Sequence, residues 1–208
     1  MTTPLGSLEV LESEPRLAKV RRTTRETDIT IRVALDGQGT AEISTGVGFY
    51  NHLLTSLAHH SLIDIRVEAT GDLEIDDHHT VEDVALVLGA ALATALGDRG
   101  GIQRYGDASV PMDEAIASAV IDLGGRPYAV VDLPFRGERI GALSTQLIEH
   151  ALEAFARTAG ATLHIKGIGR NDHHLAEAAF KALARSLRAS CAPDPRRDGV
   201  ASTKGSLG

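Results

Sequence analysis

One block of this sequence occurs twice. DDHHTVEDVALVLGAAL, beginning at Asp76, matches NDHHLAEAAFKALARSL, beginning at Asn171. Each copy follows a second shared segment, NHLLTSLA from Asn51 and EHALEAFA from Glu149. The His of that earlier segment precedes the His-His pair by 26 residues in one copy (52 to 78) and by 23 in the other (150 to 173). An internal duplication is the economical reading, and it constrains the fold strongly: two similar halves must pack together as one domain.

Apolar spacing predicts the elements. DITIRVAL from Asp28 alternates, with Ile29, Ile31, Val33 and Leu35 on one face, as a half-buried strand does. Asp36-Gly37-Gln38-Gly39 reads as a turn and TAEIST as the returning strand of a hairpin. Phe49 to His60 has helical spacing, LIDIRVEA alternates again, and Thr80 to Leu96 carries one helical stripe stopped by Gly97. The order recurs: ASAVIDL and YAVVDL read as strands, Thr145 to Thr158 as a helix, ATLHIKG as a strand and Leu175 to Leu187 as a helix. Each half is therefore expected to be β-β-α-β-α, an α+β class in which helices cover one face of each sheet.

Residues 1–15 read as a flexible polar tail, residues 16–192 as the duplicated domain with halves of about 16–100 and 101–192, and residues 193–208, rich in Pro, Gly, Arg and Ser, as loop or disorder. With 208 residues, 43% hydrophobic but no Trp and 3% aromatic, the core must be aliphatic and rich in alanine. The net charge of -7 argues against a nucleic-acid partner, yet leaves room for local arginines to hold an anion. The single cysteine, Cys191, excludes a disulfide framework within the chain and makes a reducing cytoplasm the default. The acidic N-terminus does not resemble a signal peptide, and no apolar stretch is expected to span a membrane.

The chemistry lies in His78-His79-x-x-Glu82 and its echo His173-His174-x-x-Glu177. Residues three or four apart share a helix face, so His78 or His79 can reach a point in common with Glu82. Adjacent histidines diverge by roughly 100° on a helix and are not expected to bind one ion. His52 and His150 occupy matching places on the preceding helices. Six imidazoles and two glutamates would build two sites of roughly three nitrogens and one carboxylate each, a donor set suited to Mn, Fe or Zn. Asp77, Asp83 and Asp172 are candidates to orient the imidazoles. His59 and His60 end a helix, His164 points outward on a strand, and Cys191 is a small packing residue; none of these is assigned to the site.

Together Arg22-x-Thr24-x-Glu26-Thr27, GVGFYNHLL, the two DHHxxE blocks and the closing Ser202-Thr203-Lys204-Gly205 resemble the imidazoleglycerol-phosphate dehydratase family over about residues 16 to 206. The paired blocks carry most of the specificity. The segment before STKG, RRDGVA, contains no proline of its own, which departs from the family pattern. The resemblance implies two sheets sandwiching four helices, trimers assembling into a 24-subunit shell, and Mn(II) sites made between subunits, two ions per subunit. It implies dehydration of imidazole-glycerol phosphate to imidazole-acetol phosphate. Glu26, Glu82 and Glu177 are then the acid and base candidates, with Glu26 in contact with a substrate hydroxyl. Arg104, Arg126, Lys181, Ser202 and Lys204 become a phosphate clamp.

Such a reaction removes a proton from a carbon with no adjacent carbonyl, so the imidazole ring must act as the electron reservoir. A cation at a ring nitrogen favours the imidazolate, which can expel the neighbouring hydroxyl through a diazafulvene-like intermediate. Two rival readings use the same ligands: a two-metal hydrolase with ions about 3.5–4 Å apart, and a metal-storage or metal-stitched assembly protein. The second would leave Glu26, Arg104 and Lys204 without a task.

Overall fold

A computed structural model describes residues 8–207 of the chain. The elements run β1 (Leu8–Glu14), β2 (Leu17–Thr23), β3 (Thr27–Ala34), β4 (Ala41–Ser44), α1 (Gly48–Ser61), β5 (Asp64–Gly71) and α2 (His78–Leu96) in the first half. The second half holds β6 (Tyr105–Met112), β7 (Ala115–Asp122), β8 (Tyr128–Asp132), the short β9 (Arg139–Ile140) and β10 (Leu143–Ser144), α3 (Thr145–Ala159), β11 (Thr162–Ile168) and α4 (Asp172–Cys191). The α+β class holds, with two main sheets and four helices between them.

The duplication is visible in the strand order. One sheet runs β1-β2-β3-β5-β4 and the other β6-β7-β11-β8, so without β1 the two are the same sheet. Within this shared four-stranded sheet, each half has one strand more than apolar spacing marks. Strand β2 hides because Arg22 occupies an inward position beside Ala18 and Val20. Strand β6, YGDASVPM, hides because it is built from small residues and a proline.

Two expectations about the first half need correction. Residues 1–7 of the expected tail lie outside the described residues, but Leu8–Glu14 form a strand paired antiparallel with β2. Nearly all its side chains are exposed, so ladder hydrogen bonds rather than burial hold it and no apolar period signals it. The expected hairpin of TAEIST with DITIRVAL is also not formed. Strand β4 pairs in parallel with β5, and β3 lies between β2 and β5. The turn after β3 instead crosses to β5, where the Asp64 carboxylate accepts N–H bonds from Gln38 and Thr40 at 2.9 and 2.7 Å. A β4-α1-β5 crossover follows, as a parallel pair requires, and β8-α3-β11 repeats it.

The core is aliphatic, with Ile29, Ile31, Leu53, Ile121, Leu163 and Leu175 fully buried and alanines filling α4. Helices pack across the halves, α2 on α3 and α1 on α4. At the α2–α3 crossing a Cβ on Gly89 would lie 2.4 Å from the Phe155 carbonyl oxygen, so only glycine permits that approach. Contrary to expectation, α2 is long and apolar enough to cross a membrane by length and composition, but 67% of its apolar window is buried in the fold. It reads as a core helix.

The segment after Pro193 is stitched to the body despite its loop-like composition. Ile102 bridges Pro193 and Gly100 bridges Val200. Gly101 N–H donates to Gly199 O, and Asp194 N–H to Gly101 O, each at 2.8 Å.

Candidate metal centre and anion pocket

Asp76 and Asn171, equivalent in the duplication, each accept the backbone N–H of the first histidine two residues on, at 2.8 and 3.0 Å. These side chains satisfy otherwise unpaired helix-start donors, so both helices begin with their histidines in the first turn. The i, i+4 pairs His78/Glu82 and His173/Glu177 then share a face.

Two clusters result, and each is completed from the other half. His78 and Glu82 on α2 meet His150 on α3; His173 and Glu177 on α4 meet His52 on α1. Within each, the ligand atoms lie within 4.8 Å of one another. In the second cluster Glu177 Oε1 is 2.6 Å from His52 Nε2 and 3.1 Å from His173 Nε2, while Lys181 Nζ donates to Oε2 at 2.6 Å. Burial raises the Glu177 pKa, but the hydrogen bonds from Lys181, His52 and His173 outweigh it and bring the carboxyl down to about 2. Such a carboxylate is suited to hold a cation and is a poor base. In the first cluster Glu82 lies 3.3 Å from His150 Nε2 and accepts from Arg157 at 3.1 Å. Burial opposes ionisation there as well, and Arg157 and His150 together lower the pKa.

A cation fits both clusters. Each offers two imidazoles and one carboxylate with no thiolate, and His150 Nε2 is buried without a hydrogen-bond partner. His79 and His174 do not join the clusters of their own chain, as the divergence of neighbouring histidines requires. His79 Nδ1 lies 3.0 Å from Asp72 and 3.7 Å from Glu26. His174 Nδ1 lies 2.8 Å from Glu114. The hydrogen bond to Asp72 raises the His79 pKa, and that to Glu114 raises the His174 pKa.

The carboxylates that orient imidazoles are therefore Asp72 and Glu114, which the sequence reading missed. Those expected to do so serve the backbone or a buried ion pair. Asp77 accepts from Ser144 N–H at 2.6 Å and from Arg139. Asp172 accepts from the backbone N–H groups of Arg136 and Gly137. Asp83 pairs with Arg22 and accepts from Thr27 Oγ1 at 2.5 Å, inside the fold. Thr24 Oγ1 accepts the N–H groups of Glu26 and Thr27, so this buried network holds the turn that carries Glu26. The Glu26 carboxylate itself is half exposed.

Of the expected clamp, Arg104, Arg126, Ser202 and Lys204 line one cavity of about 340 Å³, with Tyr105 and Gly124 beside them. Lys181 is not among its lining residues; it sits on Glu177 in the His52–His173–Glu177 cluster. Cys191 is buried and burial pushes its thiol up to about 12, which makes it inert packing. His164 is exposed.

The family model described as imidazoleglycerol-phosphate dehydratase matches residues 45–187. An imidazoleglycerol-phosphate dehydratase of Cereibacter sphaeroides is 54% identical over 194 residues, covering 92% of this chain and 100% of the relative. One from Clostridium botulinum is 52% identical, covering 92% and 98%, and the chloroplastic one of Pisum sativum is 51% identical, covering 93% and 70%. The crystal structure of the Staphylococcus aureus enzyme superimposes with a TM-score of 0.78 at 37% identity, covering 86% of this chain and 99% of that one. The Pyrococcus furiosus structure gives 0.78 at 38% identity, covering 90% and 99%. With half the chain and more inside the family model, and with relatives more than 50% identical of which it covers 70–100%, the chain belongs to the imidazoleglycerol-phosphate dehydratase family.

Proposed function

We propose that the chain dehydrates imidazole-glycerol phosphate to imidazole-acetol phosphate and water, using two Mn(II) ions per subunit. The family makes it a lyase of histidine biosynthesis. The observation that carries the finer reading is the pair of equivalent His/His/Glu clusters, in a chain whose C-terminal segment lines a separate cationic cavity. Metal storage needs no such cavity.

When bound, the ions supply Lewis acidity toward the nitrogens of the substrate ring, with Fe or Zn as possible substitutes. His78, Glu82 and His150 would hold one, and His52, His173 and Glu177 the other. Arg126, Ser202 and Lys204 hold the phosphate, with Arg104 at the cavity wall. Glu26, exposed and close to His79, is the carboxylate left free to contact a substrate hydroxyl or move a proton. Glu177, held low by its three donors, stays ionised and orients its neighbours rather than taking the proton. The deprotonated ring pushes its electron pair outward and the adjacent hydroxyl, given a proton, leaves as water to form a diazafulvene-like intermediate. Loss of the neighbouring C–H proton returns the pair to the ring and gives an enol, which tautomerises to the ketone.

We propose the same site as the reason for assembly into trimers and a 24-subunit shell. Each cluster has two imidazoles, while His79 and His174 are turned out of their own chain's clusters; a neighbouring copy could receive them. The outer face of the second sheet exposes Ile116, Val120, Tyr128, Val130 and Ile168, which supports burial against another copy. A cytoplasmic location accords with the one reduced, buried cysteine.

The test is turnover of imidazole-glycerol phosphate by purified protein. Activity should depend on Mn(II), vanish on chelation and return on readdition, and chelation should break a large particle into smaller units by light scattering. Full activity of a verified metal-free monomer would overturn both readings.

A further inference from the structure

Arg104 is held by more bonds than a residue waiting for an anion needs. Its Nε and Nη2 donate to the two oxygens of Asp122 at 2.6 and 2.9 Å, and its Nη1 donates to the carbonyl of Ala201. The guanidinium carbon also stacks 4.7 Å above the centre of the Tyr105 ring. Both partners of the ion pair are largely buried, with side chains 10% and 17% exposed. Arg104 keeps this place from a left-handed backbone conformation, φ 73°, which few non-glycine residues adopt. Gly124 makes room for the pair: a Cβ there would stand 2.7 Å from Arg104 Nη2 and 2.9 Å from an Asp122 oxygen.

The bond to Ala201 has a special position in the chain. Up to Val200 the C-terminal segment is tied to the body through backbone bonds to Gly100, Gly101 and Ile102. Past Ala201, the hydrogen bonds among the described residues are local: Ser202 N–H to Val200 O, Lys204 N–H to Ser202 Oγ and Gly205 N–H to Ser202 O. The Arg104 guanidinium is thus the last tie to the body before Ser202 and Lys204, both of which line the cavity.

We propose that Asp122 is a positioning residue for the anion cavity: by clamping Arg104 in both its arms, it fixes the point from which Ser202 and Lys204 reach the ligand. The inference rests on the reading of this cavity as a phosphate site. Its electrostatics make it sharply testable. A carboxylate near an anion cavity repels the anion, so on charge alone its removal should tighten binding. As a clamp, its removal should loosen binding, because the bidentate geometry that orients the guanidinium is lost.

The measurement is competitive inhibition of the Mn-loaded enzyme by inorganic phosphate, alongside KM, kcat and metal content, for Asp122→Asn, Gly124→Ala and Arg126→Ala. Asp122→Asn should weaken phosphate inhibition and raise KM, each by about tenfold, the scale of one charge-assisted hydrogen bond. Metal content should be unchanged and kcat should fall less than KM rises. Gly124→Ala displaces the fork without changing charge and should act in the same direction, which keeps the idea testable if Asp122→Asn folds poorly. Asp122→Glu should recover part of the loss. Trypsin should also cut after Lys204 faster in Asp122→Asn than in the parent, as a merely distant effect on stability would not require. Phosphate inhibition that is unchanged or stronger in both Asp122→Asn and Gly124→Ala, while Arg126→Ala weakens it, would overturn the clamp and leave the phosphate site standing. No effect in Arg126→Ala would remove the phosphate reading and the clamp with it.

Discussion

The two halves hold the helices of their His/His/Glu clusters in the same way but hold the neighbouring turns differently. In the first half the β2–β3 turn carries Glu26, and it is fixed from below by the buried Arg22–Asp83 pair and Thr27. In the second half the β6–β7 turn carries Glu114 at the matching place. There the counterparts of Thr27 and Asp83 are Ala115 and Ala178, both buried. That turn is tied instead through the glutamate itself, which accepts from Arg170 and Asn171 N–H groups and meets His174. The hydrogen bond from His174, with backbone N–H groups adding to it, holds the Glu114 pKa at about 2. Duplication supplied a glutamate twice. Where a buried network bears the turn, the carboxylate stays free; where alanines stand in for the network, the carboxylate is consumed in holding the loop.

If the clusters are equivalent despite this difference, Glu82→Gln and Glu177→Gln should be equally damaging. Orienting groups around a metal typically cost 10–100-fold when lost, so either ligand change should lower kcat/KM by more than about a hundredfold. Metal analysis should show one ion fewer per chain in each. Full activity in either variant would mean that its cluster only stitches the structure together.

The turn supports should separate the halves next. Asp83→Ala leaves Arg22 buried without its partner and should destabilise the protein by about 3–5 kcal/mol in chemical denaturation. Arg22→Met added to it should restore much of the stability while kcat stays low, because Glu26 has lost its anchored turn. Glu114→Gln, which removes the support of the second half's turn at a solvent-accessible carboxylate, should cost far less stability. An Asp83→Ala protein as stable as the parent would break the comparison.

Helix approach is a smaller lever. Gly89→Ala forces a methyl against the α3 backbone and should cost about 1–3 kcal/mol, the range for overpacking. It should loosen metal in the His78–Glu82–His150 cluster first. Ala184→Gly at the equivalent place in α4 should cost only about 0.5–1 kcal/mol, through backbone entropy. Equal metal loss from both clusters in Gly89→Ala would show that the crossings are coupled.

The smallest effect is on acid stability of the metal-free protein. Glu177 has a folded pKa of about 2 against 4.5 ordinarily. Its depressed value means that its contribution is full above pH 4.5 and is lost as pH falls toward 2. Glu177→Gln should therefore flatten the melting temperature against pH in that window. A slope parallel to that of the parent would place the acid sensitivity in other carboxylates.

Much of the site was legible because its chemistry is local and repeated. His78/Glu82 and His173/Glu177 declare themselves by i, i+4 spacing, and His52 and His150 by recurring before each pair. Asp72 and Glu114 were not legible as imidazole partners, since Glu114 reaches His174 across 60 residues of chain. Aligning the TRET and MDEA turns of the two halves, residues 24–27 and 112–115, is the signal that could have found Glu114. Strand β1 escaped because it buries almost nothing, and β2 because a charged residue with a buried partner looks like a surface residue until the partner is known.

The sequence by itself determined the duplication, the α+β class, the helix faces and the types of ligand, because helical periodicity and residue chemistry act within a few residues. Only the tertiary structure decided that His78 and not His79 joins Glu82, that each cluster borrows its third ligand from the opposite half, and that Lys181 serves Glu177 while Arg104 serves the C-terminal segment. Those choices depend on how closely α2 meets α3 and α1 meets α4, and on which buried charges find partners. Such distances are set by packing between segments far apart in the chain, and no local period encodes them.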